Sequence, residues 1–232
     1  MEPRERLIVA LDVSTAAAAR KIVAAVGDSA SAYKVGMQLY TAEGPTIVRE
    51  LVGSGRRVFL DLKYHDIPNT VGAAVREAAQ LGVKMLTVHA SGGSKMLRAA
   101  ADAAHVVNPD LLVLAVTVLT SLDSSDLGTL GLRGGVLEQV LRLGALALSN
   151  GCNGLVASAH ECGPLREEFG HDFVIVTPGV RPAGSGHDDQ ARVVTPAEAI
   201  AAGATHIVVG RPITEAIDPA AEARAILGQL AA

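Results

Sequence analysis

Short runs of β-branched and aliphatic residues recur along the chain, each followed by an Ala- and Leu-rich stretch whose polar residues return at helical spacing. That alternation marks a βα unit. The runs predict strands at 6–12, 33–37, 57–63, 85–90, 111–118, 154–158, 173–179 and 206–210, so eight units fill the chain. Between them the periodicity predicts helices at 15–26, 45–54, 70–81, 95–104, 136–150, 196–202 and 219–230. Ser14 stands before the first, and Thr195-Pro196 places a proline in a first helical turn, where its missing N–H costs nothing.

The predicted strands are continuous apolar runs rather than strict alternations, as a parallel sheet covered by helices requires. Eight in succession favour closure into a (β/α)8 TIM barrel. A doubly wound sheet usually carries G-x-G-x-x-G after its first strand, but here that place reads ALDVSTAAA. The stretch 119–135, polar and Gly-containing, is the one long connection and reads as an elaborated loop at the barrel mouth. No linker interrupts the pattern, so 1–232 is expected to be a single catalytic domain.

Composition narrows the function classes. A chain of 232 residues, 49% hydrophobic, can bury one large core, and barrels of this size commonly form one domain. The 20 Lys+Arg against 24 Asp+Glu give a net charge of -4 without like-charge runs, which argues against a nucleic-acid surface. No apolar segment is long enough to cross a bilayer, and nothing marks the chain for export. The two cysteines, Cys152 and Cys162, form no C-x-x-C pair, so a disulfide framework is not expected and a cytoplasmic setting fits.

Barrel enzymes build their sites from the carboxyl ends of the strands. Here those ends carry Asp12, Lys34, the segment Asp61-Leu62-Lys63-Tyr64-His65-Asp66, and 117–121 with Thr120. Asp61 and Lys63 are two apart on a strand, so their side chains are expected to leave one face. With Lys34, and with Asp66 turned back toward the lysines, they would form a charge-alternating cluster in which each ion keeps its neighbours charged. A protonated lysine there can stabilise and then protonate a carbanion, while a fixed carboxylate repels a substrate anion. The structural alternative is that Asp12 caps the following turn and Asp66 is a helix N-cap before Ile67-Pro68. Three charged residues on barrel strands are harder to explain structurally, because burying charge is costly unless it is paired.

A second constellation lies at Thr177-Pro178-Gly179-Val180-Arg181 and Gly210-Arg211-Pro212-Ile213. Barrels frequently bind phosphate with the loops after strands seven and eight, and arginines offer bidentate donors for it; the alternative is a surface arginine on a Gly-Pro turn. Between them 182–190 has the glycines and polarity of a lid, from which Gln190 could reach a ligand. His65, His89 and His160 match no metal-ligand spacing and read as structural, and the two cysteines as inert.

These residues resemble the orotidine 5'-monophosphate decarboxylase family, in its bacterial branch. Its signature D-x-K-x-x-D-I-P-x-T runs unbroken from Asp61 to Thr70 as DLKYHDIPNT, and the resemblance extends to VALD, KVG, VTVLTS, TPGVRP and VGRPIT. The first motif is highly specific and the others are weak alone. The resemblance implies that Lys63 protonates C6 of the pyrimidine after carbon dioxide leaves and that Asp61 faces the departing carboxylate. Lys34 would orient the network and contact the ribose, Asp12 would bind a ribose hydroxyl, and Thr120 would lie near the pyrimidine. Gln190 would bridge base and phosphate, with Arg211, the Gly210 amide and Arg181 at the phosphate. Ile67 belongs to the same substrate-binding motif. Asp66 and Thr70 would complete the neighbouring subunit's site, implying a homodimer. The family uses no cofactor and no metal. The nearest rivals, 3-keto-gulonate 6-phosphate decarboxylases and hexulose phosphate synthases, share D-x-K-x-x-D but use magnesium and lack the Ile-Pro-x-Thr continuation and the long lid. A non-catalytic nucleotide-binding barrel would be expected to lose Asp61 or Lys63.

Overall fold

The apolar runs become eight parallel strands that close on themselves in chain order. They are β1 Leu7–Ala10, β2 Ala32–Gly36, β3 Arg57–Tyr64, β4 Met85–His89, β5 Leu112–Val116, β6 Gly154–Val156, β7 Val174–Thr177 and β8 His206–Val209. The ring is completed by the pairing of β1 with β8, Ile8 opposite Val208. The computed structural model describes residues 1–182 and 194–230.

Helices join the strands and cover the ring: Ala16–Val26 after β1, Met37–Glu43 and Pro45–Gly53 after β2, Pro68–Gln80 after β3 and Gly93–Val107 after β4. Ser124–Thr129 and Val136–Leu148 follow β5, Ala159–Phe169 follows β6, Pro196–Ala201 follows β7, and Arg211–Thr214 and Pro219–Leu230 follow β8. Strand alternation divides the apolar residues between two compartments. Leu7, Val9 and Leu11 join the large cluster packed against the helices. Ile8 and Ala10 join the smaller cluster inside the barrel with Ala32, Phe59, Met85, Leu114, Val176 and Val208. The interior is thus a packed floor beneath the mouth.

The predicted elements correspond to observed ones, with local differences. Thr15, not Ser14, caps the first long helix, its Oγ1 accepting from Ala18 N at 3.2 Å, while Ser14 Oγ accepts from Gln38 Nε2. Thr195 caps Pro196–Ala201 as the Thr-Pro pair predicts. The connection 119–135 is not wholly loop: Asp123 accepts from Ser125 N and Asp126 N and starts the helix Ser124–Thr129. Ala159–Phe169 is absent from the predicted elements. It contains Pro164, and its start is fixed by Ser158 N donating to Glu161 Oε2.

Candidate active site

The interior-facing residue next above the apolar floor is polar on three successive strands. Asp12 follows Ala10, Lys34 follows Ala32 and Asp61 follows Phe59, each two residues on and therefore on the same face. Lys34 Nζ donates to Asp12 Oδ1 at 2.7 Å and lies 3.9 Å from Asp61 Oδ2. Lys63 Nζ donates to Asp61 Oδ1 and Oδ2 at 2.9 and 3.0 Å. The order Asp12, Lys34, Asp61, Lys63 alternates in sign. Lys34 and Asp61 retain 12% and 14% of their side-chain exposure, so removing either would strand its partner's charge in a poorly hydrated place. Asp12 joins this cluster, and the cap of the helix that follows is Thr15.

Asp61 and Lys63 meet, but not by simple alternation. The β3–β4 ladder pairs Leu60 with Leu86 and then Tyr64 with Val88, so Asp61, Leu62 and Lys63 stand opposite Thr87 alone. This bulge re-aims side chains. Lys63 sits in it at φ 51°, the one non-glycine with a left-handed backbone among the described residues. Sequence reasoning missed Thr87, whose hydroxyl accepts from Lys63 N at 2.9 Å and donates to Asp61 Oδ1 at 3.0 Å. It also missed Gly36: a Cβ there would lie 2.9 Å from Lys34 Nζ and 3.2 Å from Asp12 Oδ1, so any larger residue would push on the ion pair.

Asp66 does not join the cluster of its own chain. It is exposed, its Oδ1 accepts from Ile67 N at 2.6 Å, and among the described residues no ion pair links it to Lys34 or Lys63. The charged network expected from Asp66 turning back is therefore corrected: Asp66 lies beyond the end of β3, where its carboxylate engages the next amide. Nor is it the helix N-cap, a position held by Ile67. Ile67 is 66% exposed, and Thr70 is exposed on the first turn of Pro68–Gln80.

Two cavities meet at Lys34 and Asp61. One, of about 490 Å³, runs from Asp12 toward the loops after β7 and β8 and is lined by Arg181, Gly210 and Arg211. Arg181 is buried, and the turn carrying it needs Gly179, whose φ is 74°. The other, of about 170 Å³, contains Lys63 and Thr120 and has apolar walls that include Val116, Val156 and Val176. Gln190 and the rest of the expected lid from 183 onward lie outside the described residues.

Of the histidines, His65 and His89 stack with ring centroids 5.3 Å apart, and His160 is exposed on the helix after β6. Burial, then the nearby His65 and Lys63, lowers the His89 pKa. Cys152 and Cys162 are buried free thiols. Burial pushes the Cys152 thiol up to about 12, far from a reactive thiolate.

Comparison with known proteins gives the site its context. Residues 5–226 match the model of the orotidine 5'-phosphate decarboxylase / HUMPS family. Orotidine 5'-phosphate decarboxylase of Anaeromyxobacter dehalogenans is 53% identical over 230 residues, 99% of this chain and 100% of that protein. Its counterpart in Halorhodospira halophila is 52% identical over 227 residues, 98% of this chain and 96% of that protein. The crystal structure of orotidine 5'-phosphate decarboxylase from Lactobacillus acidophilus superposes with a TM-score of 0.88 at 40% identity, covering 97% of this chain and 99% of that one. With its motif, its closed barrel and these relatives in agreement, the chain belongs to the orotidine 5'-phosphate decarboxylase / HUMPS family.

Proposed function

We propose that this chain decarboxylates orotidine 5'-monophosphate to UMP and carbon dioxide, the last step of UMP biosynthesis, as a cofactor-independent enzyme of one catalytic domain in the cytoplasm. The observation that carries the reading is Lys63 Nζ held 2.9 Å from Asp61 Oδ1, between an arginine-lined cavity and an apolar one.

The nucleotide spans both cavities. Its phosphate takes Arg181, Arg211 and the Gly210 amide, its ribose takes Asp12 and Lys34, and its pyrimidine enters the apolar cavity beside Thr120, with Gln190 bridging base and phosphate. The substrate carboxylate meets the Asp61 carboxylate, and repulsion there weakens the ground state. As the C6–carboxylate bond breaks, its electron pair stays on C6 and neutral carbon dioxide leaves. The Lys63 ammonium stabilises that charge and transfers a proton from Nζ to C6; solvent then reprotonates the amine. Phosphate and ribose contacts far from C6 supply binding energy for orienting the reacting groups. Asp66, Ile67 and Thr70 contact substrate across a homodimer interface, a role that suits their exposure and the absence, among the described residues, of an ion pair to Asp66.

The test is loss of orotidine 5'-monophosphate absorbance, with UMP formed, on adding EDTA-treated protein. Rapid loss supports the reading. A folded protein that leaves the nucleotide intact but turns over a sugar phosphate when magnesium is added would overturn it.

A further inference from the structure

We infer that Thr87 is a positioning residue for the reaction, its hydroxyl fixing both the Asp61 carboxylate and the Lys63 backbone; the inference rests on the decarboxylase reading above. Thr87 is fully buried and follows Met85 on the interior face of β4. It stands alone opposite Asp61, Leu62 and Lys63, where the ladder between Leu60 and Tyr64 loses its register. A regular ladder would satisfy the Lys63 amide with a strand carbonyl. Here the amide donates to Thr87 Oγ1 at 2.9 Å instead. The hydroxyl has one proton, and Asp61 Oδ1 accepts it at 3.0 Å, so one side chain is donor to the acid and acceptor from the backbone of the base.

Both contacts act on the reacting groups themselves. Lys63 occupies a left-handed conformation, which a residue with a Cβ keeps only when its surroundings over-determine it. Asp61 Oδ1 also takes the Lys63 ammonium, so the hydroxyl fixes the carboxylate plane to which the ammonium is anchored. Thr87 lines neither cavity at Lys34 and Asp61; its effect passes through Asp61 and Lys63 and touches no substrate. Removing the hydroxyl should therefore leave binding in place and disorder the reacting pair.

The test compares Thr87→Val, which keeps the shape and deletes the hydroxyl, with Thr87→Ser, which keeps the hydroxyl, and Thr87→Cys, which weakens the donor. Loss of a group that orients a reacting side chain typically costs about 10- to 100-fold. We expect Thr87→Val to lower kcat on orotidine 5'-monophosphate by that factor, with KM and UMP affinity changed by less than about threefold. Thr87→Ser should recover most of kcat, and Thr87→Cys should fall between. Backbone amide exchange at Lys63, measured by NMR, should be about tenfold faster or more in Thr87→Val than in wild type and slow again in Thr87→Ser. That readout needs no turnover, so it tests the Thr87 contact even if wild-type protein leaves the nucleotide unchanged, an outcome that would sink the decarboxylase reading alone. If Thr87→Val does not fold, Thr87→Cys with Thr87→Ser decides the matter by the same two readouts. Wild-type kcat in a folded variant lacking the hydroxyl, a loss confined to KM, failure of Thr87→Ser to rescue, or unchanged exchange at Lys63 would each overturn the inference.

Discussion

Lys63 has two tasks in the proposed reaction, as counter-ion to Asp61 in the resting site and as proton donor to C6, and only the second is confined to the chemical step. Truncation should separate them. Lys63→Ala is expected to bind UMP within about tenfold of wild type and to lose at least about a thousandfold in kcat, the scale of a general acid removed together with its charge. Calorimetric titration with UMP and a turnover assay check this, and substantial residual turnover would remove Lys63 from the role. At this scale the sequence was partly legible. Asp12, Lys34, Asp61 and Lys63 were readable because charge on barrel strands demands an explanation. Thr87 was not, because a threonine in an apolar strand looks like any β-branched residue that favours one, and its partners are set by a bulge that spacing does not reveal. Gly36 was hidden for a similar reason, since its contact with the ion pair comes from a lysine ammonium folded back over it.

Among the elements, the loops after β7 and β8 bring Arg181 and Arg211 to one cavity. Arg181 is buried and its backbone is fixed, with its N–H donating to Val194 O at 3.0 Å. Arg211 is exposed, in the first turn of Arg211–Thr214. Arg211→Ala should therefore leave the fold intact and weaken UMP binding by about 10- to 100-fold, the worth of a charge-assisted contact of about 1.5–3 kcal/mol. Uridine, which lacks the phosphate, should bind wild type and variant alike. Equal UMP affinity in the two proteins would take Arg211 out of the phosphate site. The strand and helix pattern was legible because a covered parallel sheet leaves a strong signal; Ala159–Phe169 escaped it because Pro164 interrupts the run and its start depends on a side-chain contact.

The molecule as a whole has its chemistry at one end of the barrel and a different liability at the other. His206, at the start of β8, is buried, and Nε2 has no hydrogen-bond partner among the described residues. Nδ1 lies 3.0 Å from Thr205 Oγ1. Burial foremost, then Arg57 and Arg6, lowers its pKa to about 4, against a smaller opposing effect of Glu5. Since the unfolded chain takes up this proton near pH 6.5 and the folded chain does not until about 4, stability should fall as pH drops between those values. The loss amounts to about 3 kcal/mol at the low end. Thermal melts from pH 7 to 4 should show a steeper decline for wild type than for His206→Gln; parallel curves would contradict the account. At the same scale, mixing Lys63→Ala with Asp66→Ala should restore activity through hybrid dimers if Asp66 completes the neighbouring site. Subunit exchange without recovered turnover would refute the shared site. That expectation rests on family resemblance alone, since no property of one chain's periodicity says which molecule an exposed carboxylate will face.

The surplus residues of β3 have one more consequence. A strand at the edge of an open sheet can shed a register error into solvent, but a ring has no edge, and the mismatch between β3 and β4 is trapped there like a dislocation in a crystal. Deleting one residue between Asp61 and Lys63 would not heal it. It would turn the rest of the strand inside out, sending side chains meant for the mouth toward the helices. At Leu62, between the reacting pair, the fold should thus survive a change of side chain far better than a change of length.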